Sequence, residues 1–224
     1  MASEGRAQAA DSGNVVDAVF AVSCRTLPVD HAYALSQAIQ VALPWFSDEP
    51  GAGLHLIYGA ASGSGWTRPT GEGAMLQLSH RTKLALRLPT RRLDDAARLC
   101  GCILDVAGCT LRVNAMSVRP LSRITTLYSR CVVLAEAGNE AAFLAAAARE
   151  LGALGIEPAR MLCGLETPVA TPAHTYLTRS LMLAGLAIEQ SLALQRHGLG
   201  AERGLGCGLF IPHKDIADLL SRPQ

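Results

Sequence analysis

The order in which strand-like and helix-like stretches alternate constrains this chain more than any single residue. Residues 14–23 (NVVDAVFAVS) are β-branched and apolar, which reads as a buried strand. After Pro28-Val29-Asp30 the period changes. Ala32, Leu35, Ile39 and Ala42 recur at helical spacing, Asp30 stands where an N-cap belongs, and Pro44 stops the helix. Residues 54–58 (LHLIY) return to a short strand. Residues 59–74, rich in Gly, Ser, Thr and Pro, form a loop long enough to be functional. Residues 78–88 (LSHRTKLALRL) alternate as a strand ended by Pro89. Residues 91–99 suit a short helix, and 102–113 a strand or hairpin broken near Gly108.

The same order then returns. Residues 125–135 read as a strand, and Asn139 caps a helix to about Leu154 with Phe143, Ala147, Leu151 and Leu154 on one face. Strands at 158–166 and 174–184, a helix at 187–197 and a last strand at 205–211 complete the series. The pattern predicts an α+β protein of two βαββαβ halves, each the split βαβ of a ferredoxin-like fold. The halves are 1–113 and 125–224, with 114–124 as linker, and no residue-level repeat relates them.

Composition narrows the function. Half of the 224 residues are hydrophobic, enough for two cores, but only 4% are aromatic, so Ala, Leu and Val must fill them. Twenty Lys and Arg against 19 acids leave a net charge of +1, so any polyanion must be met by local clustering of cations. The seven cysteines lie mostly in apolar stretches without a CxxC pair, which reads as reduced thiols rather than a zinc site. The first residues are polar, and no apolar run reaches bilayer length. A cytoplasmic protein with no membrane partner is expected.

The most specific motif is GLGAERGLGCG at 198–208, between a predicted helix and the final strand. Gly198, Gly200, Gly204, Gly206 and Gly208 suit positive φ or close backbone approach, and a loop of this kind can turn several N–H groups towards phosphate. The spacing is neither that of a dinucleotide-binding turn nor that of a P-loop. A helix C-cap followed by a bulged strand is the structural alternative.

Helix, GxGxxxxxGxG and apolar strand at the end of a doubled βαββαβ chain resemble the RAMP superfamily of CRISPR systems. Within it the chain resembles the endoribonucleases that cut repeat RNA, in particular a compact myxobacterial-type branch. The similar segments are LPVDHAYAL (27–35), LSHRTKLALRLP (78–89), TLYSR (126–130), LTRSLMLAGL (177–186) and SLALQRHGLGAERGLGCGLFIPHK (191–214). The resemblance implies binding of CRISPR repeat RNA and one cut per repeat, leaving 5′-hydroxyl and 2′,3′-cyclic phosphate ends. It also implies delivery of the product, the mature guide RNA, to other effector-complex subunits. A non-catalytic repeat-RNA-binding subunit is the alternative.

Such a cut uses the RNA's own 2′-OH and requires no metal or cofactor. Histidine suits the proton transfers and Lys or Arg the phosphate. His31, at the predicted start of the first helix, is the first catalytic choice, since a helix N-terminus attracts phosphate and keeps imidazole neutral. A surface histidine near a cap is the plain alternative. His55, in LHLIY, is second, with a buried structural histidine as its alternative. Arg81, Lys83 and Arg87 share one strand face at period two, and His80 and Arg68 stand near them in sequence, as do Arg91 and Arg92. They are expected to contact RNA backbone, although a solvated sheet face would look the same. Arg203 and Arg196 beside the glycine loop are weaker candidates of the same kind. Trp66 could stack on an unpaired base or plug its own loop.

Overall fold

The structure, a computed structural model, describes residues 14–59, 69, 71, 73–135 and 138–213. The chain divides into two compact units, Met1–Pro120 with Ala170–Ala173, and Leu121–Val169 with His174–Gln224.

The first unit opens with β1 (Val15–Ser23), whose Ala18, Phe20 and Val22 point into the core. β2 (Thr26–Pro28) leads to α1 (Ala32–Ala42), which buries Leu35 and Ile39 as the helical spacing requires. Its N-cap is His31 rather than Asp30, and no side chain caps it. A 3₁₀ turn over Pro44–Phe46 follows, and then β3 (Gly53–His55). β4 (Met75–Gln77) pairs with β2 in a ribbon that the sequence reading did not anticipate. β5 (Lys83–Pro89) starts later than alternation suggests, because residues 79–82 form a turn in which Thr82 N–H reaches the Ser79 carbonyl at 3.0 Å. A 3₁₀ turn at Thr90–Arg92 runs into α2 (Leu93–Ala97), and a hairpin joins β6 (Ile103–Val106) to β7 (Cys109–Pro120).

The expected linker is therefore corrected. Residues 114–120 are strand, paired with β1 as far as Pro120, and the units part after that residue. The main sheet has the order β3-β5-β1-β7-β6, and the four pairings along it are antiparallel. One face carries Phe20, Leu84, Leu86, Leu88 and Val113 against Leu35 and Ile39 of α1 and Ala96 and Leu99 of the α2 region. Burying each large side chain of that set is worth about 1.5–3 kcal/mol, so this face fixes the register.

In the second unit β8 (Leu127–Val132) precedes α3 (Glu140–Ala153), whose N-cap Asn139 accepts the Ala142 N–H at 2.9 Å as expected. β9 (Arg160–Ala170), β10 (Thr175–Ala184) and α4 (Ile188–His197) follow. The last strand shrinks to β11 (Ile211–Pro212), because residues 203–205 form a 3₁₀ turn and the glycine segment is loop. The sheet order is β11-β8-β10-β9. Phe143, Ala147 and Leu151 of α3 and Leu194 of α4 close a second core on Leu127, Val132, Leu181, Leu183 and Phe210. Among the described residues no helix is long and apolar enough to cross a membrane. All seven cysteines are free thiols.

Candidate nucleic-acid interface

The two leading histidines lie in the first unit in different settings. His31 is buried at the start of α1. Its Nδ1 lies 2.9 Å from the Pro28 carbonyl, and its Nε2 lies 3.2 Å from the Ile57 amide nitrogen. A carbonyl can only accept, so Nδ1 carries the proton and Nε2 accepts the Ile57 N–H. One tautomer follows, with the lone pair on Nε2.

His55 projects from β3 towards a charge that the sequence reading had not partnered. Its Nε2 is 3.2 Å from Asp17 Oδ1 on β1. Arg87 Nε donates to the same oxygen at 2.9 Å, and its second nitrogen reaches Oδ2 at 3.3 Å. Arg119 of β7 donates to Oδ2 at 3.1 Å. One carboxylate thus ties β3, β5, β1 and β7 together, with Asp17 opposite Arg87 on one side and Arg119 on the other. Burial alone would raise the Asp17 carboxyl; the His55 hydrogen bond and the Arg87 guanidinium outweigh it and hold the group well below the usual carboxylate range. Burial pushes His55 below an ordinary imidazole, against the pull of Asp17, so the ring is neutral at pH 7. With Nε2–H on Asp17, Nδ1 holds the lone pair.

The expected row of three solvated cations changes accordingly. Lys83 is exposed on β5. Arg81 and His80 are exposed but sit in the turn before the strand, where Arg81 N–H meets the Ser79 hydroxyl at 3.2 Å. Arg87 lies on the same side of β5 as Lys83 but is 1% exposed and paired with Asp17, so it is not open to solvent. Alternation placed Arg87 on the correct side of the strand but could not show that a carboxylate 70 residues away lay across from it. Arg91 and Arg92 converge on buried Glu49 at 2.5 and 2.7 Å, and Arg92 also lies 4.8 Å from the centre of the Trp45 ring. Arg68 and Trp66 lie outside the described residues.

In the second unit the glycine segment folds back on its own backbone. A Cβ at Gly200 would lie 2.0 Å from the Val133 carbonyl oxygen, and one at Gly208 would lie 2.2 Å from that of Leu199. Both have positive φ. The expected row of open amides does not form at 198–201 or 205–208. Gly198 N–H bonds to Leu194, Leu199 to Gly208, Ala201 to Val133, Leu205 and Cys207 to Glu202, Gly206 to Arg203 and Gly208 to Cys131. Gly200 N–H bonds to the Glu150 carboxylate. Gly204 has ordinary φ and open space where a Cβ would go. Arg203 donates to the His197 carbonyl.

Sequence reasoning overlooked Asp17, Arg112 and Arg119. The signal for Asp17 was present: a lone carboxylate within VVDAVF is a buried charge that demands a partner. Arg112 and Arg119 were hidden because one fell in a strand of uncertain extent and the other in the supposed linker.

Comparison with known proteins fits this architecture. The family model described as Cas6 Crispr matches residues 16–215. This chain belongs to the Cas6 family. It is 34% identical over 197 residues to the CRISPR-associated endonuclease Cas6 of Myxococcus xanthus (strain DK1622), covering 88% of this chain and 81% of that protein. A solved structure described as a CRISPR-associated protein Cas6 superposes with TM-score 0.62 at 10% identity, over 89% of this chain and 99% of the other. A second, described as a RAMP protein binding different RNA substrates, gives 0.55 at 12% identity, over 88% and 98%. These likenesses establish a shared mixed α/β fold with the Cas6 and RAMP structures.

Proposed function

We propose that the chain is an endoribonuclease that binds CRISPR repeat RNA and cuts once within each repeat, without a metal ion. The observation that carries this reading is the 34% identity with a Cas6 endonuclease along 88% of the chain. Both units then read as ferredoxin-like halves. In support, β1 and β5 in one sheet and β8 and β10 in the other are central neighbours, flanked by the strands that βαββαβ order requires.

In the proposed reaction the 2′-OH attacks the adjacent phosphorus, and the P–O5′ bond breaks to leave a 2′,3′-cyclic phosphate and a 5′-hydroxyl. His31 is the base. Pro28 fixes its proton on Nδ1, so the Nε2 lone pair can take the 2′-OH proton. The substrate must displace the Ile57 amide from that nitrogen. His55 is the second candidate, favoured by an Nδ1 lone pair with no hydrogen bond among the described residues and by a ring oriented on Asp17. Exposed Lys83, Arg81 and His80 supply phosphate contacts. The product stays bound for transfer to effector subunits.

The test is full-length protein with labelled repeat RNA from the neighbouring array, in EDTA. His31→Asn keeps a donor for Pro28 and should slow cutting by about 10²–10⁴-fold while binding changes little. Normal cutting by this variant together with loss in His55→Gln would move the base to His55. Tight binding without product between pH 6 and 9 would make the chain a repeat-RNA-binding subunit instead.

A further inference from the structure

Every strand of the first unit's main sheet has a face turned away from α1 and α2. On β1 that face carries Val15, Asp17, Val19, Ala21 and Ser23, alternate to the core residues Ala18, Phe20 and Val22. Pairing then places the neighbours. Lys83 lies beside Ala21, Ala85 beside Val19 and Arg87 beside Asp17. On the other flank Arg119 lies beside Asp17, Ser117 beside Val19 and Arg112 beside Ser23. Gly53 and His55 extend the face over β3, and Ile103 and Asp105 over β6.

Among the described residues, four cations therefore share one sheet face with two acids. Asp17 is not an open negative charge, whereas Asp105 is an exposed carboxylate on the edge strand β6. Asp17 is buried beneath Arg87, Arg119 and His55, and Asp105 accepts the Gly108 N–H at 2.7 Å. Arg87 is consumed by Asp17. Lys83 and Arg112 are exposed, and the Arg119 side chain is 60% exposed although its guanidinium is anchored on Asp17. In a chain of net charge +1 this concentration is local. The positions between the cations are small or short and apolar: Ala21, Ala85, Ser117, Ser23, Gly53 and Val19. From Asp17 to Ser23 the row runs roughly 20 Å along β1. No described Phe, Tyr or Trp stands on these face positions, and His55 is 14% exposed and held against Asp17, so base stacking has no open platform there.

We propose that this face binds the phosphodiester backbone of single-stranded RNA through Lys83, Arg112 and Arg119, with Asp17 as the buried anchor that holds Arg119 in place. The proposal rests on the RNA-processing reading above and adds the surface and the contact chemistry. Charge complementarity selects a polyanion, and the low, featureless floor selects backbone over base recognition. Binding here is insensitive to sequence, and salt weakens it steeply.

The test is the salt dependence of binding of a labelled oligouridylate, which has no hairpin, to the full chain by fluorescence anisotropy. Each lost contact lowers the slope of log K against log salt by ~0.7, so Lys83→Gln/Arg112→Gln/Arg119→Gln should lower it by ~2 and Lys83→Gln/Arg112→Gln by ~1.4. The double variant leaves the Arg119–Asp17 pair intact and guards against a folding artefact. Replacing three other exposed arginines, Arg98, Arg149 and Arg160, by Gln should leave the slope unchanged. An unaltered slope in the first two variants, or an equal fall in the third, overturns the assignment of this face while leaving RNA binding itself standing. Wild-type protein that binds neither oligouridylate nor repeat RNA overturns the RNA reading and this proposal together.

Discussion

Replacing Asp17 by Ala removes the carboxylate that pairs with Arg87, whose side chain is 1% exposed. Arg87 would then lose its ion pair with Asp17 while its charge stays buried, and His55 and Arg119 would each lose an acceptor. Breaking a buried pair from one side costs about 3–5 kcal/mol, because the remaining charge is neither paired nor solvated. Against a usual stability of roughly 5–15 kcal/mol, that is a third or more of the total. Removing both members is a different perturbation. Asp17→Ala/Arg87→Met removes both charges of this pair, so its loss should be well below the sum of the single losses, with a coupling energy of about 1–3 kcal/mol. Urea unfolding of the four proteins at pH 7 provides the cycle. A loss below about 1 kcal/mol in Asp17→Ala, or strict additivity in the double variant, would show that the carboxylate does not neutralise Arg87 as argued.

Two further outcomes follow from the same geometry. Gly200→Ala meets the Val133 carbonyl oxygen at positive φ and should lose about 2–4 kcal/mol, whereas Gly204→Ala, in open space at ordinary φ, should stay within about 0.5 kcal/mol of wild type; paired thermal melts would expose the error if the two behaved alike. The lowered His55 and Asp17 also set the pH response. In both cases the unfolded chain takes up protons before the folded one, so stability should fall once pH drops below about 6.5 and fall further below about 4. His55→Gln should remove the upper step alone, and a pH–stability curve flat between pH 7 and 5 in wild type would contradict the depressed imidazole.

Much of the scaffold was legible because its elements are strongly periodic. β1, α1, α3, β10 and α4 fall within a few residues of the stretches read from apolar spacing, and Asn139 caps α3 because a short polar side chain stood at the right offset. β7 escaped because its outer half bears Ser117, Val118, Arg119 and Pro120, all exposed, so polarity imitated a linker while backbone pairing with β1 continued. The final strand was overestimated because Leu205, Cys207, Leu209 and Phe210 are buried by a folded-back loop rather than by a sheet. Among site residues, the helix-start position of His31 was readable from Asp30 and Pro28. Its enclosure was not, since the amide of Ile57 lies 26 residues further along the chain. Arg87 and Asp17, 70 residues apart, form a pair that only pairing register reveals.

The back-folded segment from Gly198 to Gly208 joins the end of α4, the edge of β8 and Glu150 of α3 through its own main chain. Its glycines are therefore fastenings before they are anything else. A relative that had lost every catalytic group, but still had to assemble this half of the molecule, would keep the glycines at 198, 200, 206 and 208. The motif by which such chains are most readily spotted is then a mark of shared architecture, and it is a poor guide to which of them still cut.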